Sequence, residues 1–192
     1  MDGHRPAEII EEDRLVAELH RLGVTYLNNR SADLPERLRQ PAQLLADTVC
    51  QPGGRVRTAV IALLLLNPGY AKFISSAVSL LNENQALLLK LFYTASVFLQ
   101  RQYQAELSEI GVTPWQWLPD LFSTELGIPP SLPPKDALHQ LGIRHRVLSQ
   151  QYVNWTGTYE NVVHHLIRYK RLEKQCDLYQ IYFRIGNWLT SL

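Results

Sequence analysis

The stretch NQALLLKLFYTASVFLQRQYQAELSEI, residues 84–110, decides the fold because it is the longest helical pattern in the chain. Placed 100° apart, its apolar side chains form one broad face. These side chains are Leu87, Leu88, Leu91, Phe92, Ala95, Phe98, Leu99, Tyr103 and Ile110. A narrow polar stripe of Lys90, Thr94, Arg101 and Gln104 lies opposite. We therefore expect a central helix over 84–110 that other elements nearly surround.

Further helical patterns lie on both sides of this segment. Residues 55–66 are apolar in every direction around a helix, which is typical of a helix enclosed by its neighbours. Shorter patterns cover 7–22, 41–50, 70–81, 135–149 and 159–175. In the tail, Leu178, Ile181, Tyr182 and Ile185 have helical spacing, whereas the β-branched and aromatic content of 178–185 also suits a strand. We favour a helix there.

Residues 113–134 are rich in proline and tryptophan. They hold six of the eleven prolines together with Trp115 and Trp117. Disordered linkers rarely carry such aromatic residues, so we expect an ordered, irregular segment packed over the helices. The predicted fold is all-α, with about six to eight helices in a single compact domain over 1–192. In this prediction 113–134 is an ordered connection and 176–192 a C-terminal appendage of uncertain structure.

Composition excludes several classes of protein. A chain of 192 residues with 46% hydrophobic content buries a sizeable core, and its net charge of +1 argues against nonspecific capture of nucleic acid by the whole molecule. The acidic N-terminus lacks the pattern of an export signal, so we expect a cytoplasmic location. The longest apolar run, 59–66, is far shorter than the ~20 residues that span a bilayer. Cys50 and Cys176 stand far apart, and we interpret both as reduced packing residues.

Residues 154–174 contain the leading candidate site. Thr156 or Thr158 is the expected helix cap, and Val162, Val163, Leu166 and Tyr169 form the predicted buried side. The opposite face is cationic, and its candidate partner- or phosphate-binding residues are Asn161, His164, Arg168 and Arg171. Arginine donates paired hydrogen bonds to phosphate or carboxylate, and histidine becomes cationic below its pKa.

Two other interpretations of this face stay open. In the first, the face is a plain solvated surface without a binding role, which is the usual situation of charged helix residues. In the second, Glu160 and His164, which are four residues apart on the helix, bind one metal ion together. Two ligands are, however, too few for a zinc site. We therefore predict no metal site.

The segment RLVAELH, residues 14–20, has an arginine and a histidine in the R-x5-H spacing. This pattern resembles the catalytic signature of HEPN-type ribonucleases, which are also helical. The resemblance implies a nuclease in which Arg14 and His20 cooperate at a dimer cleft. The simpler interpretation, which we favour, is that Arg14 is a surface arginine and His20 a histidine at a helix boundary.

No motif in the chain dictates a reaction. The phosphate-binding patterns GxGxxG and GxxxxGK[ST] and the nucleophile pattern GxSxG are absent. We therefore predict a helical protein-interaction module or subunit without catalytic activity or cofactor, which binds a protein partner or associates with itself and does not engage a membrane. The alternative is an RNA-binding or HEPN-like protein that uses the 161–171 face or Arg14 and His20.

Overall fold

Helices account for nearly all the regular structure of the chain. The computed structural model describes residues 7–27, 37–111 and 116–189, and these contain eight α-helices, one 3-10 helix and no strand. The elements in chain order are α1 (Ala7–Arg21), α2 (Pro41–Val49), α3 (Gly54–Leu66), a 3-10 helix (Pro68–Phe73), α4 (Ile74–Val78), α5 (Glu83–Gln102), α6 (Gln104–Glu109), α7 (Pro134–Ser149) and α8 (Trp155–Leu189). The all-α prediction is confirmed.

Helix α3 lies at the centre of the core, as its apolar sequence predicts. Every side chain from Ala59 to Leu65 is fully buried, because α2, α5 and α8 all pack against this helix. Asn67 ends α3 by donating from its side chain to the Leu22 and Leu63 carbonyls. Among the described residues no single helix is long and apolar enough to cross a membrane. Helix α3 and the segment Pro68–Val78 reach the required length and apolar composition only when they are taken together, and the chain bends by 115° between them.

The polar stripe predicted on the central helix is wrong in its middle. Thr94 is 1% exposed, and all residues from 91 to 100 are buried. The irregular segment after α6 packs on α5, since the Gln100 side chain donates to the Gln116 carbonyl and accepts from the Leu118 N–H, both at 2.8 Å. The expectation that this segment packs over the helices is therefore confirmed for the described residues from 116 onwards, while Trp115 lies outside them.

The prediction of one unbroken helix over 84–110 is also wrong. Helix α5 ends at Gln102 and α6 begins at Gln104, because Tyr103 leaves the helical region with φ −108° and ψ 28°. The bend places Leu107 and Ile110 in the core. It also sets the Tyr103 ring edge-on against His164 of α8, with the ring centroids 5.5 Å apart.

Helix α8 begins earlier and runs further than its sequence pattern predicts. Asn154 caps it, because its Oδ1 accepts the Gly157 N–H at 3.1 Å. The expected threonine caps are wrong, since the Thr158 hydroxyl donates instead to the Asn154 carbonyl. The helix continues to Leu189, so the ambiguous residues 178–185 are helical and 176–189 extend α8.

The two cysteines lie outside the core. Cys50 directly follows α2, Cys176 lies on α8, and both thiols are free and exposed. The prediction that they are packing residues is wrong, because neither position faces the apolar interior.

Candidate functional site

The inner side of α8 largely follows the prediction. Val162, Val163 and Leu166 are buried, at 6%, 0% and 1% exposure. Tyr169, predicted to be buried with them, is 37% exposed. Its ring lies edge-on at the margin of the core, 6.3 Å from that of Tyr26. The buried stripe therefore narrows before this turn of α8.

The predicted binding face points outward, but its members differ in their surroundings. Its four residues Asn161, His164, Arg168 and Arg171 are all exposed. His164 Nε2 lies 3.1 Å from the Tyr103 hydroxyl, and the Arg171 guanidinium binds both carboxylate oxygens of Glu109 at 2.6 and 3.3 Å. This pairing with Arg171 lowers the pKa of Glu109. Within the described part of the chain, only Arg168 offers a cation without an ionic or hydrogen-bond partner on this face.

A groove of about 380 Å³ runs beside His164, Arg168 and Arg171. The acidic side chain of Glu106 also lines it. Asn161 instead faces another cavity, beside His165. The structure thus brings three of the four predicted residues together and leaves their combined positive charge partly offset by α6.

Arg14 and His20 engage different partners on and around α1. The exposed Arg14 has its Nε 3.7 Å from the buried carboxylate of Glu18, whereas His20 Nε2 lies 2.7 Å from the Leu27 carbonyl oxygen. Glu18 also accepts from the Arg39 backbone N–H at 2.8 Å and from its guanidinium at 2.6 Å. Both predicted nuclease residues therefore have contacts within their own helix–loop region, and the nuclease assignment stays a prediction.

Exposed apolar side chains concentrate where α7 meets α8. Of the ten large apolar residues exposed in the described structure, half fall between Ile143 and Val153. We define the α7–α8 patch as Ile143, Val147, Leu148, Tyr152 and Val153, which are 42%, 59%, 38%, 100% and 40% exposed. Ile143 and Val147 lie one helical turn apart on the same side of α7.

Basic side chains border this patch. Ile143, Tyr152 and Val153 line a shallow cavity of about 380 Å³ together with His139 and Arg146. Among the described residues, no acidic side chain lines it. In the described residues Arg146 forms no ion pair, so its charge is open to a partner.

The aromatic-rich segments 115–122 and 179–188 are the candidate partner surfaces that the sequence itself suggests, because a domain of this size is not expected to bury so many aromatic side chains completely. In the 115–122 segment, Trp117 and Leu121 are indeed 47% and 45% exposed, whereas Leu118 is buried. The side chains of 179–188 lie outside the described residues. The α7–α8 patch was missed because its members are spread over a helix end and a connection, without a local apolar run.

Beneath this patch, three rings of α7 and α8 form a buried cluster. His145 stacks on Trp155 with ring centroids 3.5 Å apart and an interplanar angle of 11°. The close approach depends on Gly142, where any Cβ would overlap the Thr156 hydroxyl and lie 2.9 Å from the Thr156 backbone nitrogen. The third ring belongs to Tyr159, whose hydroxyl lies 2.6 Å from His145 Nδ1.

The geometry of the cluster determines which nitrogen of His145 carries its proton. Burial and the positive charge of Arg57 lower the pKa of His145 to about 3, so the ring is neutral near pH 7. Burial also raises the pKa of Tyr159, which keeps its hydroxyl protonated. This buried hydroxyl needs an acceptor, and His145 Nδ1 is the partner within reach. The imidazole proton is therefore on Nε2, which acts as a donor.

Two cavities adjoin the cluster, and residues that contain unpartnered buried polar atoms line both. They measure about 380 and 370 Å³, and Arg57, Gln151 and Trp155 line both of them. Five buried side-chain atoms in the described structure lack a hydrogen-bond partner, and four belong to residues of these cavity walls. The four are His145 Nε2, Arg57 Nε, Trp155 Nε1 and the Tyr26 hydroxyl oxygen. We call the pair of spaces the Arg57 cavities.

Sequence reasoning did not single out His145, Arg57 or Trp155. One local signal was available, because His145 follows Leu138 and Leu141 at helical spacing and so belongs to the apolar face of α7. A histidine on an apolar face needs a buried partner. Nothing in the sequence, however, indicates that Arg57 of α3 is that histidine's neighbour.

Among the described residues, no group of three or more His, Cys, Asp or Glu side chains is arranged to hold a metal ion. Comparison with protein-family models, with curated proteins and with solved structures finds no match to this chain.

Proposed function

We propose that the chain is a helical interaction subunit that binds a partner protein through the α7–α8 patch. The observation that carries this proposal is the concentration of exposed apolar side chains between Ile143 and Val153. Contiguous apolar surface on a protein commonly marks a binding site, because covering it removes apolar area from water.

The rim of the patch defines the chemistry of the partner. Arg146 and His139 border the apolar surface, and the part of the chain that the structure describes contributes no carboxylate to the adjoining cavity. A complementary partner presents an apolar segment flanked by Asp or Glu, such as one face of an amphipathic helix. Interface arginines commonly contribute strongly to binding, so Arg146 is expected to be an important contact.

Photocrosslinking from the patch tests the proposal. Tyr152 is completely exposed, so Tyr152→p-benzoylphenylalanine keeps an aromatic side chain there without disturbing the core. We expect illumination in cells of the source organism to link this position to one protein, through a peptide with apolar residues beside acidic ones. The matched control is Gln104→p-benzoylphenylalanine, at an exposed position on α6.

A second variant, Val147→Asp, is tested in the same crosslinking experiment. Val147 is 59% exposed, so the substitution should change the free energy of unfolding by no more than about 0.5 kcal/mol. It should nevertheless abolish the crosslink, because it places a charge in the apolar contact. Equal crosslinking from both positions, or a linked peptide without acidic residues, contradicts the proposal. A crosslink to a second copy of this chain would show that the patch mediates self-association and does not bind a different protein.

A further inference from the structure

We propose that the larger Arg57 cavity is the anchor pocket of the partner interface and takes one large apolar side chain from the partner helix. This inference rests on the function proposed above and adds to it the partner residue that contributes most to affinity. The observation that carries it is Leu148, which belongs to the α7–α8 patch and also lines this cavity. The patch and the cavity therefore form one continuous surface.

The patch wraps around the C-terminal end of α7 between two cavities. Ile143 and Val147, four residues apart, share one side of the helix, and Leu148 lies about 100° further round. The cavity beside Arg146 adjoins the patch at Ile143, whereas the larger Arg57 cavity adjoins it at Leu148. A helix that covers the patch therefore lies over both cavities.

The walls of the larger Arg57 cavity are apolar where a partner can reach them. Four leucines line it, namely Leu87, Leu88 and Leu91 of α5 and Leu148 of α7. Leu148 is 38% exposed, and Leu87 and Leu88 are half-buried, so the wall retains accessible surface. Two exposed polar residues, Asn84 and Gln150, also line the cavity, which places its mouth at the protein surface.

The size and chemistry of the cavity select the side chain that fills it. A volume of about 380 Å³ falls within the range that holds small-molecule ligands, so it is large enough for any side chain. A small side chain would leave most of the leucine wall in water, whereas a large apolar one removes that area from water. Arg57 lines the same cavity and disfavours a basic side chain. Large side chains in desolvated pockets commonly dominate the affinity of an interface.

The two edges of the patch together specify the contact face of the partner. Its carboxylate lies on the Arg146 side and its anchor on the Leu148 side, with apolar contacts to Ile143 and Val147 between them. An amphipathic helix provides this arrangement through residues spaced three, four or seven apart. A helix with acidic residues but no large apolar one fits only one of the two edges.

Crosslinking from the cavity itself gives the first test. Asn84 is exposed and lines the cavity from α5. We expect Asn84→p-benzoylphenylalanine to link to the same protein as position 152 does, at a large apolar residue of the same helix. The matched control is Glu83→p-benzoylphenylalanine, at the preceding exposed position, which is not part of the cavity wall.

The outcomes of this experiment separate the two proposals. Linkage from position 152 without linkage from position 84 overturns the anchor pocket and leaves the partner surface standing. Equal linkage of the same partner residue from positions 83 and 84 also overturns the anchor pocket, because no side chain is then seated in the cavity. Absence of linkage from position 152 contradicts both proposals.

Filling the cavity gives the second test. Leu88→Trp places an indole in the space and keeps the wall apolar. Purified chain that carries Tyr152→p-benzoylphenylalanine is titrated into a fixed amount of extract from the source organism. The concentration that gives half-maximal crosslinking should rise roughly thirtyfold with Leu88→Trp, because the anchor no longer fits.

The matched control for the filled cavity is Leu80→Trp. Leu80 is 56% exposed and is not part of the cavity wall, so this variant should leave the half-maximal concentration unchanged. Equal concentrations for the two variants contradict the inference. Crosslinking from Asn84 leaves the four leucines unaltered, so it decides the question if Leu88→Trp does not fold.

Discussion

Gly142→Ala tests the contact between α7 and α8 on which the buried ring cluster depends. The added Cβ would overlap the Thr156 hydroxyl and lie 2.9 Å from the Thr156 nitrogen and 3.3 Å from its Cα. The hydroxyl can rotate away. The backbone nitrogen cannot, because it belongs to the first turn of α8, so the helices must separate.

Two opposing terms determine the size of the effect. Alanine in place of glycine in a helix interior stabilises the folded state by about 1 kcal/mol. Overpacking of a closely packed contact costs about 1 to 3 kcal/mol. Because backbone atoms of α8 form this contact, we expect overpacking to prevail, with a net loss of up to about 2 kcal/mol. The separation should also weaken the stack of His145 on Trp155, whose ring centroids are now 3.5 Å apart.

Urea unfolding compares Gly142→Ala with Gly54→Ala. Gly54 begins α3, and a Cβ there meets nothing within 4 Å, so this control makes the same chemical change without a contact. We expect the control to be neutral or slightly stabilised. The reasoning fails if Gly142→Ala raises the free energy of unfolding by the full ~1 kcal/mol expected from helix propensity and the His145 ring resonances stay unchanged. The two helices would then not be in close contact.

Three further predictions concern α8 and the buried histidine. Leu166→Ala should lower the free energy of unfolding by about 2 to 5 kcal/mol in urea unfolding, because the side chain is 1% exposed. The double variant Arg168→Ala with Arg171→Ala should melt almost like the wild type, yet it should weaken any acidic or phosphate-bearing partner in a salt-titrated binding assay. A melt as low as that of Leu166→Ala would show that the arginines support the fold. The pKa of His145 is about 3 in the folded state, below its usual 6.5, so the unfolded chain takes up more protons in that interval. Stability should therefore fall as the pH drops from 6.5 towards 3, and His145→Gln should flatten that part of a stability-against-pH curve.

Prediction of the fold from sequence worked where one element carried its own signal. Helix α3 is apolar in all directions, so its enclosure could be read without knowing its neighbours. The polar stripe on α5 failed at Thr94 because that hydroxyl donates to the Lys90 carbonyl of its own helix, which makes its burial acceptable. The break at Tyr103 depends on packing across to α8, and no residue there is a helix breaker.

In the candidate sites, too, features set by a single helix could be predicted, whereas features that depend on other elements could not. The outward direction of Arg168 and Arg171 followed from helical spacing, yet the ion pair between Arg171 and Glu109 depends on the bend between α5 and α6. The Arg57 cavities could not be predicted at all. Arg57 lies on α3 and His145 on α7, and an unpartnered donor becomes visible only when every neighbour is known.

The connection between α7 and α8 accounts for the placement of the exposed patch and of the buried ring cluster beneath it. Gln150 adopts a left-handed conformation with φ 54° and ψ 27°, which ends α7 and turns the chain sharply. Soon after this turn Tyr152 is completely exposed, whereas Trp155 is 5% exposed and lines both Arg57 cavities. A few residues therefore supply an outward aromatic side chain to the patch and an inward one to the cavities.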